Sequence, residues 1–321
     1  MDYRLTDLTQ VNDVEAQVLR LQNVAFADYE GAAEIDERLV EWYSARPGFD
    51  PSMCQAALDG ERLVSNVLVY VQPLQFGRDL LRCGMVAAVA TDPEYQKQGL
   101  ARKLMDRAHE AMISRGCDAS VLFTNPDGHP YRFYEELGYE ERARLSLVLG
   151  ECPEGSGCAA LPIDPAEEAS TLISLINDYF TGHEGFSPLN GELWRWHRLE
   201  APVAPTVVAE IADSGPISTA TFSRSIVQIA GEEQAIAIAF DVAAKVMNAD
   251  QLESLLSTAP LERIALAVDD NAPERGWLGA LGFEPELTQV AMILPLNDAS
   301  RRTLARRHGP WYVAVEAAVG V

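Results

Sequence analysis

Two stretches of this chain carry the same landmarks in the same order, so any fold proposed for it has to accommodate a repeat. Glu41-Trp42-Tyr43, Pro51 and Leu58-Asp59 in the first half answer Arg195-Trp196-His197, Pro205 and Ala212-Asp213 in the second, 154 residues on. Leu137-Gly138-Tyr139 answers Leu281-Gly282-Phe283 at a spacing about ten residues shorter, so the second stretch has lost a segment. The loss falls between Gly231 and Gly276, where no glycine occurs. The 321 residues suffice for two cores. The repeat divides them into 1–150 and 151–321, with the proline- and glycine-bearing stretch 151–157 as linker.

Apolar periodicity predicts helices over 11–29 and 33–44, then strands over 53–59, 62–72 and 80–91. A helix over 99–115 puts Leu100, Leu104, Ala108 and Met112 on one face. Strand 119–124, helix 130–137 and strand 143–149 complete the first half. The second half repeats this order with helices over 165–180 and 189–198 and strands over 206–212, 216–229 and 233–242. Helix 249–258, strand 262–268, helix 274–281 and strand 288–294 follow, and the tail reads as a helix capped by Asp298 and a strand over 311–318.

Met85 to Thr91 reads as a buried strand, and Gln96-Lys97-Gln98-Gly99-Leu100-Ala101 opens the next helix. A glycine loop there can turn amide N–H groups toward an anion, and the helix start adds partial positive charge. The chain has a net charge of −23 and three lysines, two of which are Lys97 and Lys103. With Arg102 and Arg107 they stand against Asp106 alone, which fits a polyanion site ahead of the alternative, a solvated helix face. The acidity argues against nucleic-acid partners. No apolar run has the length of a membrane span, and Met1-Asp2-Tyr3-Arg4 does not open a signal peptide. Cys54, Cys83, Cys117, Cys152 and Cys158 form no CxxC pair and read as reduced thiols of a cytoplasmic protein. The five histidines show no metal-ligand spacing, and His109 is expected on an exposed helix face.

Gln-x-x-Gly-x-Ala after a strand, followed by Phe133-Tyr134-x-x-x-Gly138-Tyr139, resembles the GNAT superfamily of acetyl-CoA-dependent N-acetyltransferases over roughly residues 53–149. The resemblance implies an α+β fold of two GNAT-like domains, each a mixed, largely antiparallel twisted sheet flanked by helices. It implies acetyl-CoA as co-substrate, with Gln96 and Lys97 in its loop and the amides of Gln98, Gly99, Leu100, Ala101 and Arg102 on its diphosphate. Val89, Ala90 and Thr91 would pair with the pantetheine arm. Asn125 matches an asparagine that touches that arm, although Pro126-Asp127-Gly128 lengthens the usual gap. Tyr134 would be the general acid at the sulfur, its phenol (ordinary pKa about 10) staying protonated at neutral pH; Tyr131 is the nearby decoy.

In the second copy the loop glycine is missing and Leu278 stands where Tyr134 would, so that copy reads as degenerate. The layout is similar to the paired domains of mycothiol synthase, where the intact copy is the second, and of the enhanced-intracellular-survival acetyltransferases. The general base stays open among Asp28, Tyr29, Glu30, Glu34, His129 and the Val321 carboxylate. The acceptor is a small-molecule or peptide amine, and the negative field favours cations such as polyamines. An acyl-CoA-binding sensor without turnover is the alternative.

Overall fold

The computed structural model describes residues 3–27, 35–154, 159–229, 232–307 and 309–312. In the first half the strands are β1 (Arg4–Asp7), β2 (Gln55–Asp59), β3 (Arg62–Phe76), β4 (Asp79–Thr91), β5 (Ala119–Thr124) and β6 (Glu140–Glu151). Its helices are α1 (Val14–Ala25), α2 (Glu37–Ser44), α3 (Leu100–Ser114) and α4 (His129–Glu136). The second half supplies β7 (Leu161–Pro162), β8 (Thr206–Ala212), β9 (Gly215–Ile229), β10 (Glu232–Ala244), β11 (Arg263–Asp269) and β12 (Glu284–Pro295). Between them lie α5 (Ala169–Phe180), α6 (Gly191–Arg198), α7 (Ala249–Leu256) and α8 (Pro273–Ala280), and α9 (Asp298–Leu304) follows β12.

All twelve strands join one sheet in the order β1-β2-β3-β4-β5-β12-β6-β11-β10-β9-β8-β7. The last strand of each half crosses to the other. β12 lies between β5 and β6, with Ala291 opposite Phe123, and β6 lies between β12 and β11, with Val148 opposite Leu266. The boundary at 150/151 therefore falls at the end of a strand flanked on both sides by the second half. Alternating apolar residues fixed which face of β6 and β12 is buried; they carry no information on which neighbour each strand takes.

The repeat landmarks meet in space. The rings of Trp42 and Trp196 stack at 4.1 Å with planes 5° apart. Trp42 Nε1 donates to the Trp196 carbonyl at 3.0 Å, and Trp196 Nε1 donates to the Trp42 carbonyl at 2.7 Å. Such a reciprocal pair is the signature of an isologous contact, here within one chain.

Both sheet faces are covered in the first half. Leu104, Met105 and Met112 of α3 pack with Val67, Val69, Val86 and Leu122 on one face. Val18 and Leu21 of α1 pack with Leu68 and Ala90 on the other, beside the cluster of Tyr70, Met85 and Trp311. Several element ends differ from the sequence reading. α1 stops at Ala25, β1 and β7 went unread, and the α9 cap is Asn297, whose side chain accepts from Ser300 N while Ser300 Oγ accepts from Asn297 N. A capping box one residue earlier outcompetes Asp298 because it satisfies two amides reciprocally. Trp311 bridges to Glu184, and of the strand expected over 311–318 the part from 313 on lies outside the described residues.

Candidate active site

The site begins where β4 and β5 part. They pair in parallel from Cys83 opposite Ala119 to Val86 opposite Leu122, and no further. At that point Ala87 is an extra residue against β3, between the pairs Leu68–Ala88 and Val69–Val86. A bulge sharpens local twist and bends its strand, so β4 swings away from β5. Beyond it, Asp92 N donates to Val64 O at 2.9 Å, and antiparallel pairs alternate between bonded and non-bonded. Ala90 therefore turns its polar groups into β3, where its carbonyl also accepts from Ser65 Oγ at 2.9 Å. Val89 and Thr91 direct theirs to the free edge, and Gln96 Nε2 reaches Thr91 O at 3.3 Å.

The end of β4 is anchored. Asp92 is buried and pairs with Arg20 at 3.1 Å and Arg62 at 2.8 Å. Burial pushes its carboxyl up, but the Glu94 amide and the two guanidiniums outweigh that and hold it below the usual range.

Gln96, Lys97, Gln98 and Gly99 are exposed. Gly99 is the α3 N-cap at φ +74°, offers no side-chain cap, and has open space where a Cβ would stand. Lys97 is also left-handed at φ +61°. The first α3 bond runs from Lys103 N to Gly99 O at 3.2 Å, so the amides of Leu100, Ala101 and Arg102 precede the helical ladder. The glycine is thus required by backbone conformation, with no protein atom crowding it. Among the side chains, Gln98 Oε1 accepts from Tyr3 OH at 2.7 Å and Arg102 pairs with Glu136 at 2.6 Å. Arg107 donates to Gln55 at 2.9 Å and so belongs to the contact with β2.

A cavity of about 780 Å³ passes through the β4–β5 opening. Tyr134 and Pro130 line it on the α4 side, Val86 to Val89 and Leu122 to Thr124 at the opening, and residues of α1 and α2 beyond. Tyr134 is half-buried, its ring edge-on to Phe133 at 5.2 Å and Tyr139 at 5.9 Å. Tyr131 OH instead donates to Glu141 at 3.2 Å, and Tyr131 is not part of the cavity lining. Asn125, just past β5, holds a buried Oδ1 without a hydrogen-bond partner among the described residues. Free amides at a helix start, an open strand edge and an orphaned amide oxygen together suit a ligand with a diphosphate and an amide-bearing arm. Four residues from the second half close the far wall: Gly185, Gln289, Trp311 and Tyr312.

The corresponding place in the second half is filled. β10 and β11 pair in parallel only from Ala237–Ile264 to Ala239–Leu266, and Asp241 is left-handed at φ +49° beside a register shift. Buried Arg198 pairs with Asp241, which also accepts from Tyr312 OH at 2.6 Å. A cavity of about 80 Å³ remains there. Asn248 caps α7 by accepting from Gln251 N at 2.9 Å, and Leu278 is fully buried.

His109 was expected on an exposed face but is half-buried, 2.9 Å from Tyr139 OH, which also meets Ser120 Oγ at 2.6 Å. Burial pushes the Tyr139 phenol up and the His109 imidazole down. The unfolded chain therefore binds a proton at His109 before the folded one does, so acidification from about pH 6.5 downward costs stability. His109→Gln should flatten the fall in Tm between about pH 6.5 and 5, measured by calorimetry. His129 is exposed and absent from the cavity lining. Asp28, Tyr29, Glu30, Glu34 and Val321 lie outside the described residues. Among the described residues no three His, Cys, Asp or Glu gather as a metal site, and no helix is long and apolar enough to cross a membrane. Cys54, Cys83, Cys117 and Cys152 are free thiols; burial pushes Cys54 up to about 12.

Residues 9–142 match the acetyltransferase (GNAT) domain. Over these residues of its first half the chain is similar to GNAT acetyltransferases. N-alpha-acetyltransferase 30 from Xenopus laevis is 31% identical over 96 residues, which is 30% of this chain and 34% of that one. The Schizosaccharomyces pombe protein of the same name is 34% identical over 96 residues, 30% of this chain and 62% of its own. Glucosamine 6-phosphate N-acetyltransferase from Trypanosoma brucei brucei is 33% identical over 89 residues, 27% of this chain and 58% of its own. The chain thus spans less than two thirds of the curated relatives it matches. Over nearly the whole length, the fold resembles a probable N-acyltransferase of unknown function from Enterococcus faecalis, with a TM-score of 0.66 and 13% identity. That match covers 94% of this chain and 74% of the other. A GCN5-related N-acetyltransferase from Anabaena variabilis gives 0.65 and 12% identity, covering 93% and 74%.

Proposed function

We propose that this protein is an N-acetyltransferase that moves an acetyl group from acetyl-CoA to a primary amine by direct transfer, in a cytoplasmic setting that suits its free thiols. The observation that carries the reading is that Tyr134 and the open edge of β4 border one cavity. The α3 start around Gly99 would hold the diphosphate, with Gln96 and Lys97 flanking it. The edge-facing backbone groups of Val89 and Thr91 would take the pantetheine arm, Gln96 giving up its bond to Thr91 O, and Asn125 Oδ1 would accept from one of its amides. Acetyl-CoA, when bound, supplies an activated thioester. A neutral amine forms the new N–C bond as the C–S bond breaks; Tyr134 OH gives a proton to the departing sulfur, and the proton shed by the new amide nitrogen restores the phenol. The apolar walls disfavour an ammonium ion, so amine binding and proton loss go together.

The second half we read as a degenerate copy of the first. Its opening is filled by Asp241, Arg198 and Tyr312, its helix start is capped by Asn248, and it serves to brace the sheet and wall the cavity. Thiol release from acetyl-CoA with a panel of amines tests the proposal. Cofactor binding with no release on any amine would replace it with the sensor reading.

Gly99→Glu should weaken acetyl-CoA binding about fivefold by titration calorimetry, because a carboxylate beside phosphate costs about 1 kcal/mol. A side chain at φ +74° costs about a further 1–2 kcal/mol with or without ligand. That part falls on stability, so the melting temperature should drop by a few degrees.

A further inference from the structure

We infer that the acceptor is an amine carried on an uncharged, apolar body, of the alkylamine or arylalkylamine class. The inference rests on the acetyl-transfer reading and concerns the part of the cavity beyond the β4–β5 opening. At about 780 Å³ the cavity is far larger than an acetyl group needs. Beyond the opening its walls are Phe26, Leu39, Tyr43, Tyr70, Leu74 and Trp311. Their polar neighbours Gln22, Asn23 and Gln72 are neutral amides. Among the described lining residues there is no lysine, arginine or histidine, and the one carboxylate, Glu15, is solvent-exposed. A polycation or a sugar phosphate placed here would lose its hydration without meeting a buried charge partner among the described residues. An alkyl or aryl body loses nothing and gains from leaving water. Among the described residues the acidity of the chain thus does not extend into this chamber, which favours an apolar body over the polyamine that net charge suggests.

The test is thiol release from acetyl-CoA by n-alkylamines from butyl to octyl, with 2-phenylethylamine, spermidine and glucosamine alongside. All the alkylamines present the same ammonium group, so the slope with chain length isolates the apolar body. We expect kcat/KM to rise about fourfold per methylene, from the transfer free energy of about 0.8 kcal/mol. Octylamine should then exceed butylamine by on the order of 100-fold, with phenylethylamine on the same side and spermidine and glucosamine far below octylamine. A flat slope, or a preference for spermidine or glucosamine, would overturn the inference. So would a chain-length dependence found in the acyl donor and absent from the amine. Calorimetric binding of octylamine and butylamine to the CoA complex separates this claim from the transfer reading. If nothing turns over yet octylamine binds more tightly with a negative heat-capacity change, the transfer reading fails and the chamber's preference stands. If octylamine does not bind, the preference fails. Leu39→Trp, checked for folding by circular dichroism, should reduce the slope by filling the chamber; an unchanged slope would place the alkyl body elsewhere.

Discussion

Tyr134→Phe is expected to lower kcat for thiol release by about 100- to 10,000-fold, the range a positioned general acid supplies. The Michaelis constant for acetyl-CoA should stay within about a factor of two, because the interaction lost is made only as the C–S bond breaks. The substitution removes one oxygen and keeps the ring, so the edge-on contacts with Phe133 and Tyr139 persist. Tyr131→Phe is the matched control. It sits three residues earlier on the same short helix, and its hydroxyl is spent on Glu141, away from the cavity. Single-turnover measurements with saturating amine separate the chemical step from product release. Equal loss in the two variants would trace the effect to α4 as a whole, and full activity in Tyr134→Phe would remove this phenol from the chemistry.

The place of Tyr134 on the cavity wall was within reach of the sequence because it depends on local order. A strand, a glycine at a helix start and a tyrosine on the following short helix are features of near neighbours along the chain. β5 and β8 were read to the residue, since apolar runs bounded by turns have sharp ends. The larger architecture was not legible. The exchange of β6 and β12 pairs residues such as Ala267 and Leu147, and periodicity describes faces without naming neighbours. The bulge at Ala87 was hidden for the same reason, since it exists only as a mismatch against β3. His109 shows the limit on single residues. Its helix face was visible, but the Tyr139 hydroxyl that meets it lies 30 positions away. The chamber was the least legible feature, because its walls come from α1, α2, four strands and the segment at Trp311. Charge counting over the whole chain pointed to cationic acceptors, whereas the cavity draws on only one of its many acidic side chains among the described residues.

A buried ion pair helps hold the segment that carries the Trp311 wall, and breaking it is the largest stability change we expect. Arg142 of β6 grips Glu184 with two bonds, Nε to Oε2 at 2.7 Å and Nη2 to Oε1 at 2.6 Å. The same guanidinium donates to the carbonyls of Leu304, at 2.7 Å, and Arg306. The Glu184 backbone in turn pairs with the segment behind them, its amide donating to Pro310 at 2.9 Å and its carbonyl accepting from Tyr312 at 2.8 Å. Both side chains are nearly inaccessible, so removing either partner strands a charge in a low-dielectric interior. Arg142→Met or Glu184→Leu alone should cost about 3–5 kcal/mol, a fall in Tm on the order of 10 °C for a unit of this size. The double variant, with no charge left to strand, should recover much of that loss in urea titrations. Because Trp311 and Tyr312 close the chamber, the single variants should also raise the Michaelis constant for the amine more than that for acetyl-CoA, whose proposed place is across the sheet at α3. A double variant as unstable as the single ones would show that the guanidinium acts here through its packing and its two carbonyl bonds, with the carboxylate a bystander.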